Sequence, residues 1–247
     1  MNWLPLLLAA ATLGQSDVKL TYHYQLKGAL RMPATVSPDG ESILYFSRSV
    51  SPTEDGEPEV KHVYNLADAN GANQRVLFET PVEWDDFLNA VTSDQMFSQD
   101  GKRIAVATTD NGKPMRAEKN PGRPVPAIVT ADGKVESIPC ELGSCGGFGF
   151  VQNELLVLDT PGLISGSGYQ LRLHEGGKSK VIHSDEKLSA SCLRISPNRR
   201  RAAFFVSSHV GSAIVRLRSV DLTTGEASDS PEFRSHHATF DGRPQLF

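Results

Sequence analysis

An aromatic pair among acidic and basic residues is the most conspicuous group of residues that could bind a ligand. Two stretches that interrupt an otherwise regular chain contain Trp84, Asp85, Asp86 and Phe87, and Arg116, Lys119 and Arg123. Trp and Arg are enriched at binding hot spots, and long loops on a rigid scaffold commonly carry binding function. We predict that these residues form a binding surface. The alternative is that Trp84 and Phe87 only cover the end of a sheet.

Carboxylates could also support catalysis. Asp85, Asp86, Asp94 and Asp159 are candidates for glycoside hydrolysis, in which two carboxyl groups face one another about 5–9.5 Å apart. Aspartates that form turns or face solvent explain the same residues more simply. No residue is therefore assigned a catalytic role from the sequence.

Three cysteines, Cys140, Cys145 and Cys192, allow at most one intramolecular disulfide. Cys140 and Cys145 could close a small loop, and their spacing is equally compatible with a disulfide and with two buried thiols. Without further Cys or His partners this spacing is a poor zinc signature. We accordingly expect no metal and no cofactor.

A repeated turn-and-strand pattern underlies these residues. The sequences Ser-Pro-Asp-Gly at 37–40, Ser-Gln-Asp-Gly at 98–101 and Ser-Pro-Asn-Arg at 196–199 each precede an apolar run, and weaker copies begin at Val151 and Thr239. The last three copies start 45 and 43 residues apart. The apolar runs are typical of strands buried on both faces, and a Gly-bearing hairpin follows each of the first four. Each unit is therefore predicted to hold four strands, which is the size of a propeller blade.

The first unit resembles the repeat of TolB-like, WD-repeat-like β-propellers. The resemblance rests on the turn at 37–40, the apolar strand after it, and the strand that runs into Asp-Ala-Asn-Gly at 68–71. It covers nearly all of residues 34–247 and implies an all-β propeller without the N-terminal domain of TolB. We predict five four-stranded blades, of which one is closed by strands from residues 18–26 and 245–247. Six blades are the alternative.

Composition and the N-terminus indicate the compartment. The chain has 247 residues, 39% of them hydrophobic, and a net charge of −4, so it lacks the basic field that attracts nucleic acid. Residues 4–13 are uncharged and apolar or small, but a bilayer span takes about 20 residues. We predict a signal peptide at 1–14, one propeller domain at 15–247, and a periplasmic or secreted protein without a transmembrane segment.

These observations favour a non-catalytic exported scaffold that binds a protein or a glycan, because the sequence contains no recognisable catalytic constellation. One alternative is a carbohydrate-active enzyme with carboxylates in the propeller funnel. The other is a structural subunit of a larger envelope complex.

Overall fold

The computed structural model describes residues 34–51, 59–80, 95–113, 122–130, 132–161, 167–208, 212 and 214–234. Sixteen β-strands form four antiparallel sheets within these ranges. The sheets follow one another in chain order, and each is built from strands that are neighbours along the chain.

The strands divide among the four sheets as follows. The first sheet contains β1 (Thr35–Val36), β2 (Ser42–Ser51), β3 (Glu59–Asp68) and β4 (Arg75–Thr80), and the second contains β5 (Arg103–Thr109), β6 (Pro124–Thr130) and β7 (Val135–Ser137). The third contains β8 (Ser144–Val151), β9 (Glu154–Thr160), β10 (Tyr169–Glu175) and β11 (Lys178–Asp185). The fourth contains β12 (Ser189–Ile195), β13 (Arg201–Ser207), β14 (Ile214–Asp221), β15 (Ala227–Asp229) and β16 (Phe233–Arg234).

The three Ser-led turns share one hydrogen-bond network. The Ser hydroxyl donates to the Asp or Asn two residues later, at 2.5, 2.6 and 2.7 Å in chain order, and accepts the backbone N–H five residues later. The fourth turn residue has a φ of 74° in Gly40, 69° in Gly101 and 57° in Arg199. Because glycine adopts this left-handed conformation without strain, Arg199 is the unfavourable copy of the turn.

The sheets pack face to face, so the central strands are buried on both sides. In β9, Leu155 and Val157 belong to a core cluster shared with the first and second sheets. Leu156 and Leu158 belong to a second cluster, shared with the fourth sheet. This alternation follows from the period of two along a strand, and it confirms the prediction of strands buried on both faces.

The predicted all-β class is confirmed. Four strands per sheet, as predicted, are found in the first and third sheets, whereas the described part of the second sheet has three strands and the fourth sheet has five. The described sheets do not close into a ring, and the number of blades stays a prediction. The proposed closing strands at 18–26 and 245–247, the turn at Thr239 and the signal peptide at 1–14 lie outside the described residues. No helix within the described ranges is long and apolar enough to cross a membrane.

Candidate functional site

A row of polar side chains lies between the second and third sheets. On β10, Leu171 and Leu173 pack toward the fourth sheet, so the alternation of a strand turns Arg172 and His174 toward the second sheet. The row, which we call the polar seam, consists of Ser179, His174, Glu136, Arg172, Asp159 and Glu141. Its members come from β7, β9, β10, β11 and the segment between β7 and β8, which we call the 138–143 linker.

His174 lies between a serine and a glutamate. Its Nδ1 is 3.1 Å from Ser179 Oγ and its Nε2 is 3.3 Å from Glu136 Oε1. His174 is buried, Ser179 is exposed, and the Glu136 side chain is about half exposed. Because a carboxylate only accepts hydrogen bonds, Glu136 selects the tautomer with the proton on Nε2. The Nδ1 lone pair then faces the Ser179 hydroxyl.

The β10–β11 hairpin positions this serine. A two-residue Gly176-Gly177 turn joins the strands, with φ of 55° and 78°, and Ser179 lies directly opposite His174. Positive φ at both central residues is typical of the type I′ turn of hairpins. In such a hairpin the second cross-strand pair is not hydrogen-bonded between the strands. Since β11 is the edge strand, the Ser179 N–H points away from the sheet.

Arg172 is the buried cation of the polar seam, with 2% of its side chain exposed. Its Nη1 donates to Glu141 Oε1 at 2.7 Å, and its Nη2 donates to the Pro139 carbonyl at 2.8 Å and lies 2.9 Å from Asp159 Oδ2. The Nε–H has no partner in the described part of the chain. The Glu141 side chain is 59% exposed and that of Asp159 is fully buried. The guanidinium is therefore anchored from the inside, with Glu141 on its solvent side.

Asp159 holds the 138–143 linker in place. Its carboxylate accepts the N–H of Glu141 at 2.7 Å and that of Leu142 at 3.2 Å, and Gly143 N–H closes the turn on the Cys140 carbonyl at 3.1 Å. Burial raises the pKa of Asp159, and the Leu142 N–H and the Arg172 guanidinium oppose that rise. A carboxylate buried this completely anchors the linker and is closed to a dissolved substrate.

Cys140 and Cys145 lie at the two ends of this turn with their thiols in hydrogen-bond contact. The Cys145 thiol also donates to the Gly147 carbonyl at 3.4 Å. The Cys145 thiol and burial raise the pKa of Cys140. Both residues carry unjoined thiols. The disulfide between them stays a prediction.

The segment between β11 and β12, the 186–188 linker, is held by a comparable pair. Asp185 accepts two N–H groups of this linker, at 2.9 and 3.2 Å, and Arg218 lies 3.1 Å from Asp185. Arg218 also donates two bonds of 2.7 Å to Asp229 and one of 2.7 Å to the Tyr169 hydroxyl. Arg218 holds the pKa of Asp229 below its usual range. At Asp185, burial by itself raises the pKa. The N–H groups of the linker and the Arg218 guanidinium outweigh burial, so the pKa of Asp185 is lowered as well.

Arg123 is the one predicted binding residue within the described ranges. It is exposed, its backbone N–H donates to Asp110 Oδ1 at 2.9 Å, and its Nη1 lies 3.4 Å from where a Cβ on Gly143 would stand. Arg123 therefore lies beside the 138–143 linker. The other predicted binding residues, Trp84, Asp85, Asp86, Phe87, Arg116 and Lys119, and the candidate acid Asp94, lie outside the described residues. Among the described residues, no three or more His, Cys, Asp or Glu side chains could together hold a metal ion.

Sequence reasoning missed the polar seam. It considered Asp159 as a catalytic carboxylate, but it did not connect this residue with Arg172, His174, Glu136 or Ser179. A signal was present in β10, whose sequence Tyr-Gln-Leu-Arg-Leu-His-Glu places charged residues inside a strand buried on both faces. Such residues require partners, because an unpaired buried charge is costly.

Neither a protein-family model nor a curated protein sequence matches the chain. Solved structures do. An oligogalacturonate lyase in complex with manganese is similar at 15% identity and a TM-score of 0.54, over 87% of this chain and 56% of that one. A structure assigned to TolB from Agrobacterium tumefaciens is similar at 14% identity and a TM-score of 0.50, over 87% of this chain and 85% of that one. The β-propeller domain of the trilobed protease from Pyrococcus furiosus is similar at 13% identity and a TM-score of 0.50, over 82% and 57%.

The fold is that of a β-propeller. The similarity to TolB and to the protease domain supports the predicted fold at this level, whereas the repeat type stays a prediction. The chain spans about half the length of the lyase and of the protease structure. Sequence identities of 13–15% show the fold alone.

The expectation of a non-catalytic scaffold is corrected by these similarities. The lyase is an enzyme, and further similar structures are a hydrolase and a peptidase. The propeller is thus of a kind found in enzymes. The lack of a catalytic motif in the sequence does not support a non-catalytic role, because catalytic groups that converge from different strands leave no local motif.

Proposed function

We propose that this protein is a hydrolase in which Ser179 is the nucleophile, His174 the general base and Glu136 the residue that orients the imidazole. The observation that carries this proposal is one buried imidazole within hydrogen-bond reach of both an exposed serine and a carboxylate. Acyl transfer needs a nucleophile, a base that contacts it and an acidic residue that orients the base, and these three groups occur together on unrelated folds.

The reaction follows from the roles of these three groups. Ser179 Oγ attacks the carbonyl carbon of an ester while His174 Nδ1 takes the hydroxyl proton. Glu136, at Nε2, stabilises the imidazolium that forms, and the imidazolium then gives its proton to the leaving alcohol. Water hydrolyses the acyl-serine by the same proton transfers in reverse, so ester and water yield acid and alcohol. The Ser179 N–H at the sheet edge is the donor available to the developing oxyanion.

The exposure of Ser179 at an edge strand favours small, accessible esters as substrates. The second and third sheets bury His174, and a buried base lies in a lower dielectric than water, which strengthens its interaction with Glu136. Ser179 itself stays in contact with solvent. The site therefore suits an acyl group that approaches from outside the sheet.

The test is hydrolysis of p-nitrophenyl acetate and labelling by a fluorophosphonate, a reagent that modifies activated serines, on the full chain. We expect Ser179→Ala to lose the labelled peptide, and His174→Gln to lower kcat by about 10²–10⁴-fold, the usual contribution of a general base. Glu136→Gln should lower kcat less, with little change in KM.

Ser184→Ala is the matched control, because Ser184 is an exposed serine on the same strand without a histidine partner in the described structure. It should retain both labelling and turnover. Equal turnover in Ser179→Ala and in the control, with both variants folded, would overturn the proposal.

We also propose that the four described sheets belong to five blades and that the protein is exported. The copies of the turn at 37–40, 98–101, 196–199 and 239–242, together with the weaker copy that begins at Val151, support the count of five. The apolar stretch at 4–13 supports export. Deletion of residues 243–247 should lower the melting temperature if that segment closes the ring. An intact mass of the native protein should show cleavage after residue 14.

A further inference from the structure

The solvent side of Arg172 has the features of a ligand site. Its guanidinium is held by the Asp159 carboxylate and the Pro139 carbonyl, which fix its plane from the inside. Its Nη1 faces outward to Glu141, a side chain that is 59% exposed, and its Nε–H has no partner in the described part of the chain. The Nη1 of this buried cation is thus paired with a side chain that is itself largely exposed.

We propose that this position is a binding site for a carboxylate ligand, which takes the place of Glu141 on Arg172. In the unliganded protein Glu141 acts as an internal stand-in for the ligand's carboxylate. This inference is independent of the proposed esterase activity, because it involves neither Ser179 nor His174.

The chemistry of the site favours a carboxylate over other ligands. A guanidinium donates to carboxylates in a planar geometry, and such charge-assisted bonds are the strong ones. The Nη1 of Arg172 donates to Glu141, and an incoming carboxylate can accept the same hydrogen bond in place of that side chain. Arg123, exposed next to Gly143 of the same linker, adds a second positive charge nearby.

The exchange has a small cost because Glu141 can move into water. Its backbone N–H stays fixed on Asp159 at 2.7 Å, so the linker keeps its shape while the side chain swings out. Only the Glu141 end of this ion pair is exposed. An ion pair open to solvent contributes up to about 1 kcal/mol, which corresponds to about a fivefold factor in affinity. Removing the charge of Glu141 should therefore tighten carboxylate binding by about fivefold.

The probe is acetate, with acetamide as its neutral counterpart, and the readout is the ¹⁵N-edited NMR signal of the Arg172 Nε–H. We expect acetate to shift this signal saturably, acetamide to leave it unchanged, and Glu141→Gln to reach saturation at about fivefold lower acetate. Arg123→Ala should weaken binding by about twofold, as expected for a single exposed charge.

Glu186→Gln is the matched control, since Glu186 is an exposed glutamate of the 186–188 linker. It should bind acetate like the native chain. The proposal is overturned if acetate leaves the Arg172 signal unchanged in Glu141→Gln, if acetamide shifts it equally, or if both Glu variants change the affinity alike. Loss of esterase activity in Ser179→Ala has no bearing on any of these outcomes.

Discussion

The 138–143 and 186–188 linkers each connect two sheets, and each is tied down by an aspartate that accepts two backbone N–H groups and pairs with an arginine. The surroundings of the two pairs differ. Asp159 and Arg172 are 0% and 2% exposed, whereas Asp185 and Arg218 are 25% and 11% exposed. Arg218 has its donors engaged by Asp229, Asp185 and Tyr169. Arg172 keeps one unused donor and one exposed partner.

This difference separates a purely structural ion pair from one that can exchange partners. The 186–188 pair is satisfied by fixed groups on both sides, so it has nothing to offer a ligand. The 138–143 pair is anchored more deeply, yet its outermost partner is the most exposed member of the polar seam's carboxylates. Deep anchoring and an exposed, replaceable partner together make the first linker the better candidate for function.

The largest effect is expected from Arg172→Met. This change leaves the Asp159 carboxylate buried without its cation, which typically costs about 3–5 kcal/mol. The free energy of unfolding from urea titration measures it. Adding Asp159→Asn should recover part of the loss, since the uncompensated charge is then gone. Additive losses in the double variant would show that the pair does not act as a unit.

Oxidation of Cys140 and Cys145 should give the next largest effect, and it applies to the 138–143 linker alone. A disulfide across so short a loop should stabilise the protein by about 2 kcal/mol. Mass spectrometry after treatment with oxidised glutathione should detect the loss of two hydrogen atoms, with a higher melting temperature. Cys192→Ser should retain this response and Cys140→Ser should lose it. An unshifted melting temperature in a fully oxidised sample would contradict the expected gain.

A smaller loss is expected from Arg218→Met. Its carboxylate partners keep access to water, so removal of the cation should cost roughly 1–2 kcal/mol. The control is Arg216→Met, because Arg216 lies 3.4 Å from the same Asp229 but its side chain is 33% exposed. Urea unfolding should rank Arg172→Met above Arg218→Met and both above Arg216→Met. A loss for Arg218→Met as large as for Arg172→Met would remove the distinction between the linkers.

The parts of the molecule that could be predicted are those with local causes. The Ser-led turns are specified by hydroxyl, carboxylate and backbone groups within five residues of one another, and the copies at Ser37 and Ser98 form the same network. Even the copy with Arg199 in place of glycine keeps it. Strand order could be predicted as well, since each sheet is built from consecutive strands.

The candidate site could not be predicted because its contacts join distant residues. His174 meets Glu136 across 38 positions, and Arg172 meets Glu141 across 31. Both contacts depend on how two sheets face each other, and no turn motif in the sequence predicts that arrangement. Only Ser179, five residues from His174 across a hairpin, was within reach of local reasoning.

The smallest effect is expected in the acid range, where the two linkers should respond with opposite sign. Asp185 and Asp229 have folded pKa values below the unfolded value of about 3.9. The stability they provide is present above that value and is lost as the pH falls through their folded pKa values. Asp159 has a raised pKa, so this carboxyl group binds a proton more readily in the folded protein than in the unfolded chain. As the pH falls toward the unfolded pKa, protonation of Asp159 therefore stabilises the folded protein.

Asp229→Asn tests this contrast by removing one acid-sensitive carboxylate from the 186–188 side. Between about pH 5 and pH 3 the native protein should lose about 1 kcal/mol more than the variant, because a partly exposed pair contributes little more than that. Urea unfolding at a series of pH values measures the two slopes. Parallel slopes would mean that Asp229 is no more strongly paired than an ordinary surface carboxylate, and that the 186–188 pair is held by Asp185 alone.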